Sequence, residues 1–207
     1  MRDHMSNPKR GYHHGDLRRA LLAAALKLLD NEGIEGVTVR AVARGAGVAH
    51  SAPANHFKDR AALLGALAEQ IFEDLTQQVD QAMSDAPQTP EAKLKSIAGA
   101  LLNYGLGYPH RYRLLWRRYG VEVVDSGIEK AGTRLLETLE RLLLAPEPRG
   151  TRSVALNSRI IACWSLVHGY TSLRIEGTLV EGKDEVTGKS RLEAILDVLI
   201  NGLKDYD

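Results

Sequence analysis

Residues 38–60 of the chain are Thr-Val-Arg-Ala-Val-Ala-Arg-Gly-Ala-Gly-Val-Ala-His-Ser-Ala-Pro-Ala-Asn-His-Phe-Lys-Asp-Arg. The stretch predicts two short helices, because Thr38 is a good N-cap and a glycine-containing turn at residues 45–48 separates an apolar segment from a polar one. The second helix is too short and too polar to be explained by packing alone. Two short helices around a tight turn are typical of a helix-turn-helix, in which the second helix lies in a groove of DNA.

The side chains around this turn have the chemistry that a DNA interface needs. Thr38 and Arg40 can bind phosphate through a hydroxyl, a helix N-terminus and a guanidinium group. Small side chains at the start of the second helix would allow its backbone to come close to the base edges. Lys58 and Arg60 follow this helix and can bind phosphate on its other side. The predicted DNA-binding residues are Thr38, Arg40, Ala49, His50, Ser51, Ala52, Asn55, His56, Lys58 and Arg60.

Composition favours a helical protein of ordinary hydrophobicity. Hydrophobic residues make up 44% of the 207 residues and aromatic residues only 5%. Residues 1–60 hold ten lysines and arginines against six aspartates and glutamates, whereas residues 61–207 hold seventeen against twenty. The positive excess therefore lies with the candidate DNA-binding motif. No apolar run approaches the roughly 18 residues of a membrane span, and the single cysteine, Cys163, fits a reducing cytoplasm, so a cytoplasmic protein without membrane association is expected.

Apolar periodicity, caps and breaks predict an all-α chain of about nine helices after a flexible arm over residues 1–14. The expected helices cover about 16–31, 39–45, 49–56, 59–84, 90–105, 109–119, 122–144, 152–176 and 188–204. Gly33 is expected to end the first of them. Asp59 and Thr89 are expected N-caps, and Pro90 suits the first position of its helix.

Residues 15–65 resemble the DNA-binding domain of the tetracycline-repressor (TetR) family. The resemblance rests on the apolar stripe from Leu17 to Leu29, Gly33, Val37-Thr38-Val39, Val42-Ala43, Ala46-Gly47-Val48, Phe57 and Leu63-Leu64. It implies an all-helical homodimer whose C-terminal helices bind a small molecule and pair the subunits. The implied organisation is a helix-turn-helix DNA-binding domain of three helices over 15–62 and a helical effector-binding and dimerisation domain over 63–207.

The resemblance is weakest on the surface expected to face DNA. The family usually has a phosphate-contacting tyrosine three residues before the phenylalanine, and here that position is Ala54. Asn55 and His56 follow it and are candidates to replace the contact. Pro53 lies inside the expected third helix, where it removes a backbone hydrogen bond unless it falls in the first turn.

Two C-terminal stretches resemble a recurrent C-terminal domain of the same family. They are Trp164-Ser-Leu-Val-His168-Gly169-Tyr170, with a Trp…His-Gly signature, and Tyr104-Gly-Leu-Gly-Tyr-Pro-His-Arg-Tyr-Arg-Leu-Leu-Trp116. Trp164 and His168 are four residues apart and therefore share a helix face. Aromatic rings with a few polar groups are the usual lining of a small-molecule pocket, with plain core packing as the alternative for each residue. The predicted effector pocket contains Tyr104, Tyr108, Trp116, Tyr119, Trp164 and His168.

The last two helices are rich in apolar residues for surface elements, which is consistent with half of a four-helix dimer interface, with a purely intramolecular core as the alternative. The predicted interface residues are Ile160, Ile161, Leu166, Leu173, Ile195, Leu199 and Ile200. A two-fold dimer would place two DNA-reading helices on successive groove faces, so a palindromic double-stranded operator is expected. Four arginines between residues 111 and 118 either meet an acidic effector or are solvated.

The leading hypothesis is a ligand-responsive transcriptional regulator that needs no cofactor, and the resembled family makes a repressor the expected form. An enzyme is not expected, because the chain contains no His-Glu-x-x-His, phosphate-binding glycine loop, serine elbow or carboxylate pair beside a histidine. Cys163 lies in an apolar helix, which favours packing over nucleophilic chemistry. No metal is expected, since only His13-His14 are closely spaced among the histidines. The alternative is a helical small-molecule-binding protein without specific DNA binding, which Ala54 favours.

Overall fold

The computed structural model of the chain describes residues 14–116 and 158–204, together with residues 135, 137–139 and 142. Its helices are α1 (His14–Gly36), α2 (Val39–Gly45), α3 (Arg60–Asp85), α4 (Pro90–Gly107), α5 (Pro109–Trp116), α6 (Ser158–Ile175) and α7 (Arg191–Lys204), with a 3₁₀ turn at Ala52–Asn55. Among the described residues, one isolated bridge between Lys183 and Ser190 is the only β pairing, so the expected all-α fold is confirmed. Most of the helix expected over 122–144 lies outside the described residues, as do residues 1–13 of the expected arm.

Two compact units make up the chain, Met1–Leu67 and Ala68–Asp207. In the first unit, the core begins with the apolar stripe of α1, whose Leu21, Ala25 and Leu29 recur every four residues and are fully buried. The regular helix is interrupted at Gly33, whose φ of 71° lies in the left-handed region that glycine adopts without a steric cost. Gly33 therefore breaks α1 at the position where the sequence predicts its end, and one further turn of helix follows to Gly36.

A Schellman motif forms the turn after α2. Thr38 caps the start of α2, since its Oγ1 accepts a hydrogen bond from the backbone N–H three residues on. At the other end, the Gly47 N–H donates to the Arg44 carbonyl at 3.1 Å, and the Val48 N–H donates to the Ala43 carbonyl at 3.0 Å. Gly47 has a φ of 68°, which is why this turn requires a glycine. The helix-turn part of the motif is therefore fixed by local backbone chemistry.

The segment after this turn is a 3₁₀ turn, and the α-helix expected over 49–56 is wrong. Pro53 explains the difference. In an α-helix beginning at Ala49, the N–H of residue 53 would donate to the Ala49 carbonyl, and proline has no N–H. The Ala52 N–H donates to that carbonyl instead, at 2.9 Å, and so closes a tighter turn. Phe57 follows with 4% of its surface exposed and anchors the segment in the core of the first unit.

The first turn of α3 is capped as the sequence predicts. Asp59 Oδ1 accepts a hydrogen bond from the Ala62 N–H at 2.8 Å. Leu63 and Leu64 follow and are buried. The expected start of this helix at Asp59 is therefore confirmed to within one residue.

In the second unit, α4 lies closely against α6. Gly105 makes this approach possible, because a Cβ atom built on it would lie 2.6 Å from Thr171 Cγ2 and 3.0 Å from Ile175 Cδ1. Thr89 caps α4 and Pro90 occupies its first turn, as expected. The close approach of the two helices brings the C-terminal half of α6 next to the end of α4, where α5 begins.

Asp197 links α7 to two other parts of the second unit. Its carboxylate accepts from Lys189 Nζ at 2.6 Å and pairs with Lys95 Nζ of α4 at 2.5 Å. These lysines hold the pKa of Asp197 below its ordinary value. Partly exposed ion pairs contribute little free energy individually. The network therefore helps to position α7 on the unit and adds little to the stability of the unit.

Candidate nucleic-acid interface and effector cavity

Most of the predicted DNA-binding side chains are exposed. The exposed members are Thr38, Arg40, Ala49, His50, Ser51, Asn55 and Lys58, whereas Ala52, His56 and Arg60 are half-buried. Residues 49–56, which contain the 3₁₀ turn, are called the reading segment from here on. Arg40 Nε donates to His50 Nε2 at 3.4 Å, and this contact joins the start of α2 to the reading segment.

Arg60 has a different environment from the other cations of the predicted interface. Its Nε donates to the Val37 carbonyl at 2.7 Å and its Nη2 donates to the Ile34 carbonyl at 2.6 Å. Nη2 also lies 3.8 Å from Glu35 Oε2. The guanidinium group therefore satisfies the carbonyls that follow the break in α1, and its geometry favours a structural role over a phosphate contact.

A cavity of about 400 Å³ lies in the second unit. Its lining comes from α5 and from the C-terminal half of α6 with the residue after it. Among the described residues, the lining consists of Tyr112, Arg113, Trp116, His168, Ser172, Ile175 and Glu176. The volume is in the range of small-molecule sites, and the walls combine rings, an aliphatic side chain and charges of both signs.

Five rings form an aromatic cluster beside this cavity: Phe72, Tyr112, Trp116, Trp164 and His168. The Trp116 and Trp164 rings meet edge to face at 4.7 Å, and Phe72 meets Trp116 in the same manner at 5.8 Å. Trp164 stacks on His168 at 5.6 Å with an interplanar angle of 5°. The predicted shared face of Trp164 and His168 is therefore confirmed. Each ring pair contributes roughly 0.5–1.5 kcal/mol beyond the area that it buries, so the cluster makes a stiff wall.

The Tyr112 hydroxyl is the polar centre of the aromatic cluster. It shares a hydrogen bond of 3.0 Å with His168 Nδ1. Burial raises the pKa of Tyr112 well above its ordinary value, although the neighbouring Thr171 and Trp116 act to lower it. Burial lowers the pKa of His168. Both groups are consequently neutral near pH 7 and offer hydrogen bonds to a ligand without offering a charge.

Two further polar atoms lie buried in this region. Thr171 Oγ1 and Trp116 Nε1 complete no hydrogen bond of good geometry among the described residues. Both groups act to lower the pKa of Tyr112, which places them near its hydroxyl. Unsatisfied buried groups of this kind are costly in free energy.

The structure separates the predicted pocket residues into two groups. Trp116 and His168 line the cavity. Trp164 lies outside the lining and packs against both of these rings. Tyr104 lies apart from this lining, because its hydroxyl contacts Asp74 Oδ2 of α3 at 3.1 Å. Tyr108 is also apart and is 38% exposed. Tyr119 lies outside the described residues.

Several lining residues were missed by the sequence interpretation. Tyr112 precedes Trp116 by four residues, and Ser172 and Ile175 follow His168 by four and seven. The same helical spacing that related Trp164 to His168 would have placed all of them on the cavity faces of α5 and α6. Arg113 belongs to the arginine group of α5, so one member of that group does reach the cavity.

The predicted dimer-interface residues differ in exposure. Ile160 and Ile200 are buried within the protomer, with 1% and 8% of their surfaces exposed, and are unavailable to a partner. Ile161 and Leu173 are 49% and 38% exposed. Leu166, Ile195 and Leu199 are half-buried. Ile161, Ser165, Gly169 and Leu173 follow one another at four-residue spacing on α6; all are exposed except Gly169, which is half-buried, and together they are called the exposed stripe.

Cys163 is buried, and burial raises its pKa to about 11. The thiol is therefore protonated and unreactive near neutral pH, in agreement with the packing role expected for it. Within the described ranges, no group of three or more histidine, cysteine, aspartate or glutamate side chains has a geometry that would hold a metal ion. No helix in this part of the chain is long and apolar enough to cross a membrane.

Comparison with known proteins gives matches to both units. Residues 21–67 match the bacterial regulatory proteins of the tetR family, and residues 94–199 match the tetracyclin repressor-like C-terminal domain. An uncharacterized HTH-type transcriptional regulator in the dhlA 5′ region of Xanthobacter autotrophicus is 26% identical over 168 residues, which cover 79% of this chain and 82% of that protein.

Solved structures agree with these matches. A protein of unknown function from Rhodococcus sp. RHA1 is 28% identical, with a TM-score of 0.71 over 94% of this chain and 97% of that one. FadR from Bacillus subtilis, a transcriptional regulator solved in complex with stearoyl-CoA, shares the fold at 14% identity, with a TM-score of 0.61 over 89% of this chain and 96% of that one.

A helix-turn-helix unit followed by a helical unit defines a class of DNA-binding transcriptional regulators. The C-terminal match covers half of the chain by itself, and the N-terminal match covers the helix-turn-helix. This chain belongs to the tetracycline-repressor (TetR) family and is a DNA-binding transcriptional regulator of that family. The family resemblance drawn from the sequence is confirmed, whereas the Trp…His-Gly signature of a particular C-terminal domain stays a prediction.

Proposed function

We propose that this regulator is a homodimeric repressor that binds a palindromic operator and responds to a small molecule in the cavity of its second unit. The observation that carries the proposal is the cavity of about 400 Å³ beside the aromatic cluster, three of whose rings line it. A concave, ring-lined space with a few polar groups is the usual make-up of a small-molecule site. We assign DNA binding to residues 15–62, and effector binding and dimerisation to residues 63–207.

The proposed DNA contacts follow from exposure. Thr38, Arg40 and Lys58 are exposed and hold phosphate on the two sides of the reading segment, whose side chains face the base edges. Arg60 is left out of this set, because its guanidinium group already binds two backbone carbonyls. Asn55 is exposed and directly follows Ala54, the position where related proteins have a tyrosine, so its amide is the proposed replacement for that contact.

The proposed effector has an apolar, ring-containing body and at least one hydrogen-bonding group. Rings of Tyr112, Trp116 and His168 favour a flat or apolar body through stacking and edge contacts. The neutral Tyr112–His168 pair and Ser172 provide hydrogen bonds. FadR of Bacillus subtilis, solved with stearoyl-CoA, supports the binding of small molecules by this fold but not the identity of the effector here.

Response to the effector is proposed to pass through α6. One face of this helix lines the cavity with His168, Ser172 and Ile175. The exposed stripe begins on the same side of α6 and winds away from the cavity, and a second copy of the chain is proposed to pack on it. An effector that binds one position of α6 more tightly than another would shift the dimer toward the state with that position. The size of the shift is limited by the difference in the effector's affinity for the two states.

Two measurements test this proposal. Fluorescence anisotropy with duplexes from upstream of the regulator's own gene is expected to show site-preferring binding that weakens steeply with salt. Both tryptophans of the chain lie in the aromatic cluster, so an effector in the cavity is expected to change their fluorescence. The same compounds are expected to lower the affinity for DNA.

A pair of matched variants tests whether the cavity is the effector site. Trp116→Ala is expected to abolish the effector's action on DNA affinity while leaving DNA binding without effector intact. Leu106→Ala is the control, because Leu106 is 40% exposed and lies outside the cavity lining. Compounds that change the fluorescence of the cluster without changing DNA affinity would contradict a ligand-responsive regulator, and binding without sequence preference would contradict the operator.

A further inference from the structure

The reading segment lacks a long cationic side chain. Its residues are Ala49, His50, Ser51, Ala52, Pro53, Ala54, Asn55 and His56. Arginine or lysine, bidentate to guanine, is the commonest specific contact in the major groove, and the segment has neither. The flanking Arg40 donates to His50 across the surface, which restrains its reach toward a base.

Alanine is the most frequent residue of this segment, and two of its five exposed residues are alanines. Ala49 and Ala54 are exposed and Ala52 is half-buried, while Pro53 is buried and faces the core of its unit. Residues three apart are eclipsed in a 3₁₀ turn, so Ala52 lies beside Asn55. The exposed surface of the turn therefore places methyl groups next to one primary amide.

We infer that the operator half-site is rich in A·T pairs, with Ala54 and Ala49 in contact with thymine methyl groups and Asn55 bonded to an adjacent adenine. Thymine alone among the four bases carries a methyl group in the major groove, and a small apolar side chain is its usual partner. The asparagine amide matches the N6 donor and N7 acceptor of adenine. The inference rests on the proposed function, in which the reading segment contacts the bases.

Replacing thymine by uracil tests the methyl contact without changing the protein. Operator sequences are first selected from a random duplex pool with the full chain, and each thymine of a half-site is then replaced by deoxyuridine. Uracil keeps the hydrogen-bonding groups of thymine and lacks only its methyl group. Binding is expected to weaken about three- to four-fold for each contacted methyl group, because this is the change in affinity that corresponds to burying one methyl-sized apolar group. Deoxyuridine outside the half-sites is expected to have no effect.

Protein variants then assign the contacts to residues. Ala54→Gly is expected to weaken binding to the thymine duplex and to remove the difference between thymine and uracil at one position. Ala86→Gly, in the loop before α4, is the matched control and should keep that difference. Asn55→Ala is expected to cost about ten-fold or more at one A·T pair and to relax the preference there. Circular dichroism of each variant shows whether it is folded.

The outcomes separate this inference from the proposed function. Selected half-sites rich in G·C pairs, or a uracil series with affinities equal to those of thymine, would overturn the methyl contact while leaving sequence-specific DNA binding in place. A preserved uracil effect in Ala54→Gly and in Ala49→Gly would overturn the assignment to these alanines. Failure to select any preferred sequence would overturn the proposed operator binding itself.

Discussion

The His168 side chain is neutral within its unit because burial lowers its pKa. Its Nδ1 has a partner in the Tyr112 hydroxyl at 3.0 Å, and its ring stacks on Trp164. The arrangement suits a histidine that forms hydrogen bonds and packs, and it disfavours the protonated form. This residue therefore couples the stability of the second unit to pH.

The free energy of unfolding is expected to decrease as the pH is lowered, because of His168. The folded-state pKa lies below that of the unfolded chain, which is near the ordinary value of about 6.5. Below that pH the unfolded chain binds a proton that the folded chain does not, so the free energy of unfolding decreases as the pH falls. Urea unfolding at about pH 7.5 and about pH 5.5 should show a larger loss for the wild type than for His168→Gln, which retains an amide partner for Tyr112. Equal losses would contradict a neutral buried His168.

Glycine at position 105 is expected to be a requirement of helix packing. Gly105→Ala would place a Cβ atom 2.6 Å from Thr171 Cγ2, so the two helices must separate, at a cost of about 1–3 kcal/mol in the free energy of unfolding. Gly99→Ala on the same helix is the control, since nothing lies within 4 Å of its added Cβ. The control is expected to be neutral or to stabilise by roughly 0.5–1 kcal/mol. Urea unfolding of both variants measures the contrast, and equal stability of the two would contradict the close approach of α4 and α6.

At the scale of elements, the reading segment and its supports have separate physical origins. The Schellman turn with Gly47 positions the segment, and the missing N–H of Pro53 gives it a 3₁₀ rather than an α conformation. Arg60, at the start of α3, holds the backbone after the break in α1. The arrangement of these elements thus depends on a cation that sequence inspection assigned to phosphate.

Arg60 and Lys58 are expected to respond differently to substitution. Arg60→Ala removes two charge-assisted hydrogen bonds to backbone carbonyls, and with its partial exposure we expect a loss of about 1–2 kcal/mol in the free energy of unfolding. Lys58→Ala, at an exposed position, should leave stability unchanged within about 0.5 kcal/mol and reduce the salt dependence of DNA binding by about one phosphate contact. Thermal unfolding and anisotropy titrations at several salt concentrations distinguish the two. A stable Arg60→Ala protein with weakened DNA binding would restore the phosphate assignment.

At the scale of the whole molecule, the proposed function requires a second copy of the chain. The proposed interface uses the exposed stripe of α6, because Ile160 and Ile200 already pack inside the protomer. Four-residue spacing makes the stripe an inclined ridge of small and apolar side chains, which suits packing into the groove of a second helix. Operator recognition by two reading segments then follows from the two-fold symmetry of such a dimer.

Disruption of the exposed stripe is expected to produce monomers. Ile161→Glu combined with Leu173→Glu places charges in the proposed contact and should weaken dimerisation by about ten-fold or more. Sedimentation velocity measures the change in mass, and operator affinity should fall in parallel. Val186→Glu is the control, because Val186 is 92% exposed in a loop and its substitution should leave the dimer intact. A double variant that remains dimeric would rule out this face.

Local chemistry explains which features the sequence could predict. The caps at Thr38, Asp59 and Thr89 each depend on residues within three positions, so their sequence signals were sufficient. The 3₁₀ turn depends on how many residues separate Pro53 from the start of the segment. If the start of the helix is misplaced by one residue, the sequence no longer shows whether the missing N–H of Pro53 removes a hydrogen bond. Cavity membership depends on tertiary direction, since Tyr104 turns to Asp74 while Tyr112, on another helix, turns to His168.

The burial of Cys163 has a practical consequence for work in solution. It is the only cysteine of the chain, and its thiol is protonated near neutral pH and shielded from reagents. A cysteine introduced at an exposed position such as Ser51 would therefore react selectively with a spin label, without prior removal of the native residue. Pulsed electron paramagnetic resonance between the two labels of a dimer would then give the separation of the reading segments directly, with and without effector.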